Sequence, residues 1–172
     1  MDATEACEPN DLASHHPHRH SIAMSNMPRL AVRAVLIHEN RLLLVNAWPG
    51  HTRLWCAPGG GVEKHTSLTD NLHREMHEET GLSITIGPVC LVNEFHDPAG
   101  DFHQVDVYFR CTLAAGQLSD TWRDPEGVVT SRRWVTRAEM AALTVKPDSL
   151  AHVAWDAPTG TYYDTLEPIL RV

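Results

Sequence analysis

The sequence predicts a mixed α+β domain in which strands outnumber helices, and three observations predict it. Between Arg29 and Val135 the chain is mostly short runs of β-branched and aliphatic residues, several alternating with period two, separated by turn residues. One longer segment departs from that period: it begins near Ser67, with Asp70 three residues on as a capping pair, and ends at Gly81, the residue type expected just past a helix. There Leu68, Leu72 and Met76 stand at i, i+4 and i+8, the stripe of a helix lying on a core. Finally, 172 residues are enough for one hydrophobic core and too few for two ordinary domains.

Taken in order, residues 1–28 hold Asp, Glu, Asn, Pro, Ser and His with almost no large apolar side chains. Such a segment cannot bury enough surface to offset its ordering entropy, so it reads as a disordered leader. Its run His15-His16-Pro17-His18-Arg19-His20 offers imidazoles to a stray transition metal, but an unstructured tail is the simpler reading. The domain is expected over residues 29–145. Leu30 to Ile37, a turn at Glu39-Asn40, and Arg41 to Val45 make a β-hairpin. After Pro49-Gly50, Leu54 to Ala57 is a short third strand, and Pro58-Gly59-Gly60-Gly61 breaks regular structure. Beyond the helix, Leu82 to Ile86 and Val89 to Phe95 read as strand, and His96 to Gly100 as loop. His103 to Cys111 alternates again and is expected at the centre of the sheet. Asp120 to Gly127 is polar loop and Arg133-Trp134-Val135 a short strand. Thr136 to Leu143 reads as a helix capped by Thr136 with Glu139 at N3. The segment 146–172, with Trp155, Tyr162, Tyr163, Leu166 and Ile169, is expected to pack on the domain as a last helix.

A formal charge of −8 speaks against a nucleic-acid groove or an anionic membrane surface as the main partner. It leaves room for a small phosphate-bearing ligand, because a bound divalent cation reverses the sign of a site locally. Cys7, Cys56, Cys90 and Cys111 show no C-x-x-C spacing and read as reduced, mostly buried residues of a cytoplasmic protein. No apolar run approaches a membrane span, and the N-terminus lacks the pattern of a secretory signal.

The helix carries the chemistry. Glu75, Glu78 and Glu79 lie three and four residues apart on one side of it, bordering the buried stripe. Like charges so placed repel, and partial burial raises the cost of ionisation unless a cation compensates. Arg74 is one such cation. A divalent metal is another, because carboxylate oxygens are the preferred ligands of Mg²⁺. The run Gly59-Gly60-Gly61 supplies backbone that can approach a phosphate closely. Together these features describe a phosphate-plus-metal site.

Gly60 to Leu82 resembles the signature of the Nudix hydrolase family, G-x5-E-x7-R-E-U-x-E-E-x-G-U with U a bulky aliphatic. Gly60, Arg74, Glu75, Met76, Glu78, Glu79, Gly81 and Leu82 all fall on fixed positions. One position departs: Thr66 stands where the family has its first glutamate, a residue that commonly supports the arginine matching Arg74. Thr66 is expected to become an N-cap hydroxyl, with Glu63 standing in part for the missing charge. The resemblance covers about residues 29–145.

The resemblance implies a mixed β-sheet sandwiched between α-helices (α/β/α), with the signature forming loop-helix-loop. It implies hydrolysis of a pyrophosphate bond in a nucleoside-diphosphate-linked substrate. The substrate classes are a (d)NTP, ADP-ribose or a similar compound. Mg²⁺, or Mn²⁺, would be held by Glu75, Glu78 and Glu79, with Arg74 orienting Glu75 or Glu78. Gly59, Gly60 and Gly61 would bind substrate. Glu75, or Asp124 or Glu126 in the late loop, would act as general base. The partner is a small nucleotide-type molecule, with neither nucleic acid nor membrane, and a homodimer is compatible with the sequence. Pro98, sixteen residues after Leu82, is placed as in ADP-ribose-cleaving members, although a proline in an ordinary loop explains it equally well. Trp55, Phe95, Phe102, His103 and Tyr108 include candidates for base stacking, with Phe95 and Tyr108 read chiefly as sheet packing. His96 and His103 flank the loop and are candidates for touching substrate. The alternative is a degenerate Nudix domain that binds a nucleotide as a sensor without efficient hydrolysis. A structural Ca²⁺ site is disfavoured by the absence of a D-x-D-x-D-G loop.

Overall fold

The structure, a computed structural model, describes residues 27–170. All but the last two residues of the expected leader, including its histidine run and Cys7, lie outside the described residues.

The hairpin forms where the turn chemistry places it. Strand β1 (Arg29–His38) and strand β2 (Arg41–Trp48) are joined by Glu39 and Asn40, both at positive φ, 48° and 59°. That pair of conformations matches the twist of an antiparallel ribbon. The two strands pair directly only at Ile37–Leu42 and His38–Arg41. Beyond that, the remaining edge of β1 is occupied by the glycine run. Val32 N–H donates to Gly60 O (2.9 Å), Ala34 N–H to Pro58 O (2.9 Å), and Val62 N–H to Leu30 O (3.0 Å). The freed part of β2 pairs with β3 (His51–Cys56) and with β6 (Arg132–Val135).

On its other side β1 runs parallel to β5 (Phe102–Ala115), Arg29 to Leu36 against Gln104 to Cys111. The two segments expected around Ile86 and Val89 are one strand, β4 (Ser83–Asp97), antiparallel to β5. Its register shifts between Ile86 and Val89, where Gly87 and Pro88 cannot continue a regular ladder. The sheet order is β3-β2-β1-β5-β4-β7, with β7 (Tyr162–Tyr163) at the edge, so β5 is interior as expected.

Alternation on β1 and β2 builds two cores. Val32, Ala34, Leu36 and Leu43 pack with Leu72 and Met76 of helix α1 (Leu68–Thr80) on one face. Val35, Leu42 and Leu44 pack on the other face with Met140 of the short helix α2 (Arg137–Met140), and with Leu150, Val153 and Ala154. The sheet is thus covered by helix on both sides. Helix α2 carries the expected capping box between Thr136 and Glu139.

Two expectations need correction. The N-cap of α1 is Ser67, as its spacing to Asp70 predicts, with Oγ accepting the Asp70 N–H at 3.0 Å; the Thr66 hydroxyl does not take that role. Thr66 instead contributes its carbonyl to Asn71 Nδ2 at 3.3 Å, in a loop that the buried Asn71 ties to the helix. The final segment is not a regular last helix. It makes one π-helical turn (His152–Asp156) and two short strands, β7 (Tyr162–Tyr163) and β8 (Glu167–Pro168). Pro158 and Gly160 interrupt helical continuation, and the open edge of β4 offers backbone partners to both strands.

Candidate active site

The glycine run and the acidic side of α1 meet at a cavity of about 540 Å³. Gly59 adopts φ 133°, and a Cβ there would sit 2.1 Å from Val32 O, so no other residue fits. A Cβ on Gly60 would lie 2.5 Å from Glu75 Oε2, so the missing side chain leaves that carboxylate open to the cavity. Helix α1 is fixed in place at both ends. Ser67 caps its start, and Gly81 in the left-handed conformation returns its N–H to His77 O at its end.

Each acid sits in a different environment. Glu79 is buried, with Oε2 accepting the Gly59 N–H at 2.7 Å. Burial pushes its carboxyl up to about 8, more than Arg33 and the Gly59 amide pull it down. Glu75 is also raised, again by burial, against the opposing pull of Arg74. Arg74 donates to Glu75 Oε1 and to Glu78 Oε2, each at 2.7 Å, and reaches Glu63 Oε1 at 3.7 Å. Its Nε is the one buried side-chain nitrogen or oxygen without a hydrogen bond among the described residues. Thr66 is exposed and supplies it nothing.

The late loop brings in the remaining acids. Trp122 Nε1 donates to Glu78 O (2.9 Å), Arg132 Nε donates to Glu79 O, and Trp122 lies edge-on to His77 at 5.1 Å. These contacts anchor the loop on the C-terminal carbonyls of α1. Its other end is tied by buried Asn46, whose Oδ1 accepts from Thr130 N (2.9 Å) and Ser131 N (2.7 Å). Within the loop Asp124 accepts the Glu126 N–H through Oδ1 and the Val129 N–H through Oδ2, so both its oxygens shape the turn. Glu126 also lines the cavity, and its side chain has no hydrogen bond or ion pair among the described residues.

A chain of contacts runs from the sheet to the helix. Arg33 Nε faces Asp106 Oδ1 at 3.4 Å, and its Nη1 donates to Gly59 O at 2.5 Å. Burial alone would lower its proton affinity, but Asp106, Cys56, Tyr108 and Glu79 together leave it raised. Arg29 donates to Gln104 Oε1 at 2.7 Å, and its guanidinium lies against Gly61. Phe95, Phe102 and Tyr108 line the cavity, whereas Trp55, His96, Pro98 and His103 do not. Trp55 is core with Arg133 stacked on it, and His103 faces Glu94 at 3.3 Å.

The donors suit a hard divalent cation in kind: Glu75, Glu78 and Glu79 offer only oxygen, all on one cavity. They are not gathered as found. Among the described residues no group of three or more His, Cys, Asp or Glu side chains converges to hold a metal. The reason is visible, because Arg74 holds one oxygen each of Glu75 and Glu78, and Gly59 holds one of Glu79.

The model of the NUDIX domain matches residues 27–156. The chain belongs to the Nudix family. It is 30% identical over 93 residues to YjhB of Bacillus subtilis (strain 168), provisionally named an ADP-ribose pyrophosphatase, covering 52% of this chain and 44% of that protein. It is 30% identical over 83 residues to human nucleoside diphosphate-linked moiety X motif 6, covering 48% and 24%. The chain therefore spans less than half the length of either relative. A crystal structure of a UDP-X diphosphatase superposes with a TM-score of 0.64 at 20% identity, over 84% of this chain and 71% of that one. Nudix hydrolases generally use divalent metal ions.

Inside the Nudix segment, sequence reasoning missed Arg29, Arg33, Asn46, Trp122, Arg132, Gln104 and Asp106. The available signal was Gln104 and Asp106 at alternate positions of a strand expected at the sheet centre, where buried polar residues need partners.

Proposed function

We propose that this chain hydrolyses the pyrophosphate bond of a nucleoside-diphosphate-linked substrate, with Mg²⁺ or Mn²⁺ held by Glu75, Glu78 and Glu79. The observation that carries the reading is Gly60 under Glu75: the loop leaves no side chain between backbone and carboxylate, so phosphate and acids share one cavity. When bound, the cation supplies charge neutralisation on the phosphate oxygens and polarises water. Gly59 to Gly61 seat the pyrophosphate, and Arg29, lying against Gly61, faces its charge. Glu126, with its carboxylate uncommitted, accepts the proton of the attacking water. Asp124 shapes the turn that presents it. The water oxygen bonds to phosphorus and keeps its second proton, the bridging P–O bond breaks, and the two phosphate-bearing products leave. These are two phosphate esters from a nucleotide sugar, or a nucleotide and inorganic (pyro)phosphate from a (d)NTP. Arg74 positions Glu75 and Glu78.

The reading of a nucleotide-binding domain without efficient hydrolysis draws on one observation, the engagement of Glu75 and Glu78 by Arg74. Hydrolysis in H₂¹⁸O separates the two. ADP-ribose, UDP-glucose and dATP are incubated with Mg²⁺, and the products are weighed by mass spectrometry. One ¹⁸O in one phosphate product of at least one substrate is expected. Binding of these compounds without labelled product would replace hydrolysis by sensing.

A further inference from the structure

The cavity floor away from the acids of α1 is made by neighbouring residues of β4 and β5. Asn93 and Asp106 are direct partners in the β4–β5 register, and both are 2% exposed. Direct antiparallel partners carry their Cβ atoms about 5 Å apart. Asp106 Oδ1 accepts from Gln104 Nε2 (2.8 Å) and faces Arg33 Nε (3.4 Å), while Oδ2 has no hydrogen bond among the described residues. Asn93 makes one long side-chain contact, Nδ2 to Glu167 Oε1 at 3.5 Å, and its Oδ1 has none. Neither oxygen is sealed in, since Arg74 Nε is the one buried unpartnered side-chain atom among the described residues. Both oxygens are therefore reached from the cavity.

The cations nearby are already turned elsewhere. Arg33 faces Asp106 and the Gly59 carbonyl, and Lys146 bonds Glu167 at 2.7 Å. What remains is a pair of adjacent open acceptors, Asn93 Oδ1 and Asp106 Oδ2, with the neighbouring Arg33 already committed to Asp106 Oδ1 and the Gly59 carbonyl. That disfavours a second anionic group and favours a neutral group with two neighbouring donors. Ala31 lies opposite Asp106 and Gln104 two residues along, so the two acceptors sit in a polar patch, while Phe95, Phe102 and Tyr108 on the same cavity leave apolar surface for a base. Glu167 comes from a segment beyond the matched domain and closes this side of the cavity.

We infer that Asn93 and Asp106, walled by Glu167, form a subsite for a vicinal diol of the substrate. The diol belongs either to the nucleoside ribose or to the sugar carried on the distal phosphate. The inference rests on the pyrophosphate lying at the glycine loop.

Its test is equilibrium binding by calorimetry with Mg²⁺ and non-hydrolysable probes, in adenine and uracil series. These are the α,β-methylene nucleoside diphosphate, its 2′,3′-dideoxy form, and its ribosyl ester. Loss of one diol is expected to weaken binding to the native protein roughly tenfold, the effect of one good hydrogen-bonded pair. That penalty should vanish in Asn93→Ala and in Asp106→Asn. Sensitivity to the ester ribose assigns the distal sugar, and sensitivity to the dideoxy change assigns the nucleoside. Indifference to both changes overturns the inference, as does an unchanged penalty in both variants or no binding of any probe. Thermal unfolding identifies a misfolded variant, and two variants guard against that outcome. Hydrolysis of unmodified ADP-ribose and UDP-glucose by the same samples reads the proposed activity separately.

Discussion

At the scale of single residues, Arg74 is the most informative side chain. Its Nη1 and Nη2 are spent on Glu78 and Glu75, and its Nε is buried without a hydrogen bond, with only Glu63 Oε1 facing it at 3.7 Å. Leaving such a donor unpaired costs about 1–3 kcal/mol. Thr66→Glu offers it a carboxylate, so the variant should unfold at higher temperature by about 1 kcal/mol of stability. Turnover should rise as Arg74 loosens its hold on Glu75 and Glu78. Unchanged stability in a melting curve would mean that the new acid points to solvent. Gly60→Ala should be more damaging. A Cβ 2.5 Å from Glu75 Oε2 must displace the carboxylate, and steady-state kinetics should show kcat reduced about a hundredfold, as for a misplaced catalytic group.

At the scale of elements, the helix was readable because its stripe, its Ser67 cap and its Gly81 stop are all local signals. The hairpin was readable from Glu39-Asn40 for the same reason. The late loop was not. Its position depends on Asn46, Trp122 and Arg132, whose partners lie dozens of residues away, and no local period encodes such contacts. The same holds for the end of the chain, where the open edge of β4 recruited two short strands in place of a helix. Asn46→Ala would strand the Thr130 and Ser131 amides and release the Val128 carbonyl. A loss of about 2 kcal/mol is expected. Hydrogen exchange should quicken over residues 124–131 while α1 stays protected. Equal quickening throughout would show that Asn46 supports the whole fold and not the loop.

For the whole molecule, the site is held at some cost to stability. Glu79 has its proton affinity raised to about 8 by burial, against an ordinary 4.5. Between those values the folded state binds more protons than the unfolded state, so this group's contribution falls as pH rises from about 4.5 through about 8. In metal-free protein, melting curves should therefore show wild type losing stability over that window relative to Glu79→Gln. Parallel pH profiles for the two would contradict the burial of this acid. Metal binding requires the deprotonated form, so Mg²⁺ affinity should climb across the same window. The two-sided core and the signature were legible because both are written in spacing along the chain. The floor of Asn93, Gln104 and Asp106 was not, because it exists only once β4, β5 and β1 lie side by side.

If these carboxylates serve pyrophosphate hydrolysis through a divalent cation, activity must depend on both the cation and Glu79. The most direct measurement is the initial rate on the best-cleaved nucleoside-diphosphate-linked substrate as Mg²⁺ is titrated from an EDTA-treated sample, for wild type and Glu79→Gln. The predicted result is a rate that saturates with Mg²⁺ in wild type and falls at least a hundredfold in the variant, on the order of 3 kcal/mol of barrier. A rate indifferent to Mg²⁺, or equal in the two proteins, would contradict it.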